Sequence, residues 1–314
     1  MNIVFFGSSN FAVPSLKALL TSGHKISCVV TQPDRQKGRG LHLSETIIKA
    51  MALESGLGIY QPLRINKSEG IKFLKDLGAD LFIVIAYGQI LSQEILRLPK
   101  IFAINVHASI LPKYRGAAPI NWTIINGEKK TGVTIIKMTE EMDAGPIILQ
   151  KTMAISDEDT FLTLEDRLSK EAAQLLLDSL KSIANNNYSL ISQDKNRVSF
   201  APKLKRKDGL IDWKKPAQDI YNLIRGSLDW PGAFTYYKGR LLKIYKAGAY
   251  PFAHSPVNPL PGEIIKADKE GIVVATGKDN LVIEELQIEA RKRMKVGEFI
   301  SGYKICPGEI LGKK

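Results

Sequence analysis

The chain has 314 residues, 44% of them hydrophobic and 24% charged, and its 44 Lys+Arg against 32 Asp+Glu give a formal net charge of +12. That length favours two domains over one, and the balance of apolar and charged residues excludes a disordered or fibrous chain. No apolar run is long enough to span a bilayer and no signal-peptide pattern is present, so a cytoplasmic protein without membrane contact is expected.

Residues 2–7 form a short apolar strand stopped by Gly7-Ser-Ser, residues 14–22 carry apolar side chains at helical spacing, and residues 26–31 form the next strand. This opening has the βαβ order of a Rossmann unit, yet Gly7-Ser-Ser-Asn-Phe-Ala lacks the G-x-G-x-x-G fingerprint, so no dinucleotide is expected. Residues 31–42, TQPDRQKGRGLH, read as a loop holding the basic side chains Arg35, Lys37 and Arg39. Amphipathic helices over 44–54 and 67–77 flank a short segment at 59–62. Residues 80–87, DLFIVIAY, are almost continuously apolar, as a parallel strand buried on both faces should be. That strand leads into Tyr87-Gly88-Gln89-Ile90-Leu91, which should lie at the carboxyl edge of the sheet, where open α/β folds bind ligands.

The most informative stretch is 101–150. It opens as another buried strand, but Asn105 and His107 stand at its downstream end, and side chains two apart on a strand share a face. The loop of Ser109-Ile-Leu-Pro112 and Arg115-Gly-Ala-Ala-Pro119 follows, and a strand over 133–138 then delivers the acidic turn 139–145 with Asp143. These three residue types suit attack of an amine on a carbonyl carbon without a covalent enzyme intermediate. An Asn amide, and a His as well, can donate to the oxygen that gains charge; a carboxylate can orient the imidazole or relay the amine's proton.

A long helical pattern over 160–184 precedes a stretch, 189–208, in which hydrophobic patterning lapses and Lys203, Lys205, Arg206 and Lys207 accumulate. Beyond a short helical piece, residues from 233 onward read as alternating strands with tight turns, suggesting a small OB-like β-barrel. The expected organisation is α/β: a Rossmann-like, doubly wound, mostly parallel catalytic domain over 1–188, a basic linker over 189–208 and a C-terminal barrel domain over 209–314. Charge follows that division, with 21 Lys+Arg against 18 Asp+Glu in 1–188 and 23 against 14 in 189–314, which points to RNA as the partner of the C-terminal part. Cys28 and Cys306 are expected to be free thiols, and neither Cys nor His recurs at ligand spacing, so no metal is expected.

Asn105-Val-His107, Ser109-Ile-Leu-Pro112, Arg115-Gly-Ala-Ala-Pro119 and the turn holding Asp143 resemble the signature of the formyltransferases that use 10-formyltetrahydrofolate. The likeness runs from Asn2-Ile-Val-Phe-Phe-Gly7 to Pro307-Gly308, and within the family it is greatest to the branch whose acceptor is methionyl initiator tRNA. The resemblance implies formylation of the α-amino group of methionyl-tRNA for translation initiation, with Asn105, His107 and Asp143 catalytic. It implies folate binding by Tyr87, Gly88, Gln89, Ile90 and Leu91, with Ile90 and Leu91 packing on the pterin, and by Ser109, Ile110, Leu111 and Pro112. It also implies tRNA contacts from Arg35, Lys37 and Arg39, in a loop that grips the acceptor end, and from Lys203, Lys205, Arg206 and Lys207. A monomer with no obligate protein partner is expected. Two other readings share these residues: an amino-sugar-nucleotide N-formyltransferase on the same scaffold, and an RNA-binding protein whose transferase domain is inert. The basic loop and C-terminal charge weigh against the first, and the complete triad against the second.

Overall fold

A computed structural model of the protein describes residues 1–37, 42–250 and 259–312, apart from the side chains of Lys37 and His42. The chain divides into two compact units, the first comprising Met1–Pro119, Lys130–Ala154 and Glu165–Pro202, the second Ile120–Lys129, Ile155–Leu164 and Lys203–Lys314.

In chain order the elements through the first two-thirds are β1 (Asn2–Gly7), α1 (Val13–Leu20), β2 (Lys25–Val30), β3 (Arg35–Lys37), β4 (His42–Ser44), α2 (Ile47–Glu54), β5 (Ile59–Tyr60), α3 (Ser68–Asp76), β6 (Leu81–Ile85), α4 (Gln93–Leu96), β7 (Phe102–His107), α5 (Pro119–Ile125), β8 (Lys130–Lys137), β9 (Ile147–Ala154) and α6 (Phe161–Ala184). Seven strands make one sheet in the order β5-β2-β1-β6-β7-β8-β9. It is parallel from β5 to β7, after which β8 and β9 join antiparallel. Every residue of β6 is buried, as its unbroken apolar sequence requires of a strand covered on both faces. Phe6, Phe82, Tyr87 and Leu91 pack together in one core cluster with Val4, Val30 and Leu74, which roots the carboxyl ends of β1 and β6.

Two local expectations change. Residues 31–42 are not simply a loop: β3 and β4 pair antiparallel, Arg35 with Ser44 and Lys37 with His42, so α2 begins only at Ile47. Thr46 caps that helix by accepting from the Lys49 amide at 3.1 Å, and Ser44, the first residue of the expected helix, ends β4 instead. The expected linker 189–208 also divides. Ile191 exchanges backbone hydrogen bonds with Ile147, and Ser199 and Ala201 flank Arg115, which ties this part to the first unit. Lys203 onward belongs to the second, where the Trp230 indole donates to the Leu204 carbonyl at 3.1 Å.

The second unit holds α7 (Ala217–Gly226), β10 (Ala233–Tyr237), β11 (Arg240–Tyr250), β12 (Ile264–Asp268), β13 (Gly271–Ala275), β14 (Asn280–Ile288), β15 (Met294–Lys295) and α8 (Val296–Gly302). Its sheet is antiparallel, β10-β11-β14-β13-β12, with β15 beside β14. The C-terminal segment links the two ends of that order: Leu311 donates to the Gly262 carbonyl and Gly312 to the Tyr236 carbonyl, each at 2.8 Å. Alternating strand residues (Leu242, Ile244, Leu281, Ile283) meet Trp213, Ile220 and Phe299 in its core.

Candidate active site

β7 carries Asn105 opposite Val84 of β6 and Ile136 of β8, and His107 opposite Thr134. Being two apart, both side chains leave the strand on one face, and there they meet Asp143 from the β8–β9 connection. The Asn105 amide donates to Asp143 Oδ1 at 3.1 Å, and the backbone N–H of Gly116 donates to Oδ2 at 2.8 Å. His107 Nδ1 lies 3.6 Å from Oδ2, and its Nε2 lies 2.9 Å from the Tyr114 carbonyl oxygen. A carbonyl only accepts, so Nε2 carries the hydrogen and Nδ1 is the nitrogen turned to the carboxylate. Of the two ring nitrogens, Nε2 is hydrogen-bonded, while Nδ1 is near the carboxylate but beyond hydrogen-bond distance. The Nε2 bond to Tyr114 fixes the orientation of the ring, which the sequence leaves open.

The turn bearing Asp143 is held from outside. Asp143 itself adopts φ +52°, a left-handed conformation uncommon outside glycine, in which Asp is among the better tolerated residues. Gly145 admits no side chain, since a Cβ there would lie 1.8 Å from the Lys137 carbonyl oxygen. The Gln193 amide donates to the carbonyls of Asp143 and Gly145, both at 2.8 Å. Its oxygen accepts from the buried Arg115 guanidinium at 3.1 and 2.8 Å, and Arg115 reaches Glu141, at the head of the same turn, at 3.1 Å. Gln193 escapes sequence reasoning because it sits in an unpatterned stretch; Arg115 stands in a quoted motif but without a role attached.

After β7 the chain enters the 109–115 loop, which is equally tied down. Thr134 Oγ1 donates to the Ser109 carbonyl and accepts from the Leu111 amide at 3.2 Å, Gln150 donates to the Leu111 carbonyl at 3.0 Å, and the Ser109 hydroxyl donates to the Lys113 carbonyl at 2.7 Å. Ser109 and Leu111 are buried, whereas Ile110 and Pro112 are half-buried. Of the residues following β6, Gly88 has φ +89° and Ile90 is 66% exposed. Leu91 is instead a core residue, as is the ring of Tyr87, which meets Phe6 edge-on at 5.4 Å; burial raises the Tyr87 phenol well above its ordinary value. Gln89 is occupied in structure, accepting from the Ile65 amide and donating to the Pro62 carbonyl. In the 87–91 segment the surface offered to a ligand is thus that of Ile90 and the backbone, because packing has used the side chains of Tyr87, Gln89 and Leu91.

Among the expected tRNA contacts, Arg35 is exposed on β3 and donates to the Gln32 side chain at 2.9 Å. The side chain of Lys37 and the whole of Arg39 lie outside the described residues. Asp34, at the base of this hairpin, accepts from Lys49 and Gln61, and these contacts hold its carboxyl below the usual range. Lys203, Lys205, Arg206 and Lys207 are all exposed while Leu204 between them is buried. Farther on, Arg293 pairs with Glu285 and stacks on Tyr245, so that its charge is already answered. Among the described residues no group of three or more His, Cys, Asp or Glu could hold a metal ion, and no helix is long and apolar enough to cross a membrane.

Comparison with known proteins bears on this geometry. The formyl transferase family profile matches residues 1–180 and that of the formyl transferase C-terminal domain matches residues 203–304. The chain is 43% identical over 314 residues to the methionyl-tRNA formyltransferase of Geotalea uraniireducens, covering 100% of this chain and 99% of that one. It is 44% identical to the methionyl-tRNA formyltransferase of Alkaliphilus oremlandii, covering 100% of both. Among solved structures it shares its fold with the sugar 3N-formyl transferase WlaRD (TM-score 0.66, 21% identity, 93% of this chain and 99% of that one). HypX from Aquifex aeolicus in complex with tetrahydrofolic acid is similar at a TM-score of 0.66 and 16% identity, over 99% of this chain and only 50% of HypX. A profile matching more than half of the chain, with relatives this similar along their whole length, leaves one assignment: the chain belongs to the methionyl-tRNA formyltransferase family.

Proposed function

We propose that the protein transfers the formyl group of 10-formyltetrahydrofolate to the α-amino group of methionyl-tRNA, giving N-formylmethionyl-tRNA in the cytoplasm. The observation that carries the choice of acceptor is the end-to-end identity of 43–44% with relatives named for it, against 21% for a sugar enzyme. The geometry supports the chemistry. As the amine attacks the formyl carbon, negative charge gathers on the carbonyl oxygen and a proton must leave the nitrogen. Asn105 uses one amide hydrogen on Asp143 and presents the second to that oxygen, a donor held in place before the charge appears. Asp143 accepts the amine's proton and passes it to the departing nitrogen of the donor. His107, fixed by the Tyr114 carbonyl, lends that carboxylate an adjacent polar partner in a buried setting. No nucleophilic side chain is required. The exposed backbone at Gly88 and the exposed side chain of Ile90 suit one edge and one face of a flat heterocycle, with Ser109 to Pro112 supplying further contacts. Arg35, Lys37, Arg39 and the cluster Lys203, Lys205, Arg206, Lys207 supply phosphate contacts.

The deciding experiment offers labelled formyl donor with methionyl-tRNA or an amino-sugar nucleotide. Label is expected on the methionyl amine alone. Label on the sugar amine, or on neither, would replace this reading.

A further inference from the structure

The backbone of the Asp143 turn is held mainly from a distant part of the chain. Its own internal support is slight, an Ala144 amide donating to the Glu141 carbonyl at 3.3 Å and a Thr139 hydroxyl donating to the same oxygen at 3.2 Å. What fixes it comes from residue 193, fifty positions after Asp143. A carboxamide has two N–H hydrogens and two lone pairs, and Gln193 uses all four: two on the carbonyls of Asp143 and Gly145, two on the Arg115 guanidinium. Arg115 then closes the circuit on Glu141 at 3.1 Å, so that the turn is gripped at its head, its apex and its exit. The gripping residue is itself immobilised. On one side Ile191 exchanges backbone hydrogen bonds of 2.8 and 2.9 Å with Ile147; on the other, Ser199 and Ala201 bond the backbone of Arg115 at 2.9 and 2.7 Å. A side chain needed only to fill space would not require a saturated amide between two anchored backbones.

We propose that Gln193 is a positioning residue for formyl transfer: it holds the left-handed backbone of Asp143 so that the carboxylate stays between Asn105, the Gly116 amide and His107. The proposal rests on the reading of Asp143 as the proton-accepting group. Its chemical basis is the direction of the hydrogen bonds, since both carbonyls of the turn need donors and Arg115 needs an acceptor. Gln193→Ala removes both. Gln193→Glu keeps the shape and the bond to Arg115 but sets a carboxylate against two carbonyl oxygens, which repel it.

Single-turnover rates with saturating donor and methionyl-tRNA would test this. Because displacement of a reacting group by about 1 Å can cost about a hundredfold, Gln193→Ala should lower the rate roughly tenfold or more with Michaelis constants nearly unchanged. Gln193→Glu should lose more, although it is isosteric, and thermal melting of both variants establishes that the rates belong to folded protein. A cycle with Asp143→Asn separates positioning from general damage. If Gln193 acts through Asp143, adding Gln193→Ala to Asp143→Asn costs nothing further, whereas independent effects multiply. Folded Gln193→Ala with a rate within about twofold of native, or a loss that multiplies onto that of Asp143→Asn, would overturn the proposal while the site reading stands. Native activity in Asp143→Asn alone would instead overturn the site reading and this proposal together.

Discussion

Asn105 is half-buried, and its amide keeps a hydrogen beyond its bond to Asp143. Asn105→Ala is therefore expected to cut turnover about a hundredfold or more with little change in donor binding, the scale on which loss of an oxyanion donor is felt. Stopped-flow turnover beside equilibrium folate binding checks it; near-native turnover in folded protein would remove Asn105 from the chemistry. Asp143→Asn keeps the shape of the side chain yet cannot take up a proton, so activity should collapse across the accessible pH range instead of shifting along it. A profile of native height and shape would reduce Asp143 to a turn-former. Another residue yields a pH effect on stability. Burial pushes the Cys28 thiol up from 9.0 to about 11, so the folded state holds this proton at pH values where the unfolded chain has lost it. The sign follows: stability is intact below pH 9.0 and falls as pH rises from there through about 11. Urea midpoints measured across that window should fall more steeply for the native protein than for Cys28→Ala; equal slopes would mean that the thiol is hydrated.

Among the elements, the β3–β4 hairpin is the least legible in the sequence. Its strands are three residues each, polar and basic, with no alternation of apolar side chains to mark them. Composition therefore reads as loop, and the pairing of β3 with β4 is what makes two strands of it. Its base is fixed by Asp34 between Lys49 and Gln61, and Arg39, which falls between the two strands in sequence, lies outside the described residues. If Arg39 positions the acceptor end, Asp34→Ala, which frees the base, and Arg39→Ala should both lower turnover as well as tRNA affinity. Full speed restored at high tRNA would make the hairpin a phosphate contact and nothing more. The Asp143 turn gives a sharper structural test. Gly145→Ala places a methyl group 1.8 Å from the Lys137 carbonyl oxygen, a clash that only movement of the β8–β9 connection relieves. It should cost about 1–3 kcal/mol in urea unfolding and most of the activity.

For the whole molecule, charge is the property that sequence and structure both report. Lys203, Lys205, Arg206 and Lys207 stand exposed on a segment whose Leu204 and Gly209 are buried, so these cations sit on an anchored surface. Neutralising all four should weaken tRNA binding for every sequence and make its salt dependence shallower, while turnover at saturation survives. Binding measured from low to high salt checks this, and an unchanged slope would send the phosphate contacts elsewhere.

Sequence alone determined the fold class and the chemistry. Unbroken apolar runs specify parallel strands buried on both faces, alternation in the last third specifies an antiparallel sheet, and the Asn105-Val-His107 spacing places two polar side chains on one face. These are short-range consequences of backbone geometry, legible within a few residues. Tertiary structure decided the rest. Which nitrogen of His107 faces Asp143, that Gly116 lends its amide, that Leu91 enters the core while Ile90 is left outside, and that Gln193 grips a turn fifty positions away were not legible. Each depends on atoms brought together by chain segments whose separation along the sequence carries no periodic signal, and a hydrogen bond is satisfied by position, whatever the pattern of residues around it.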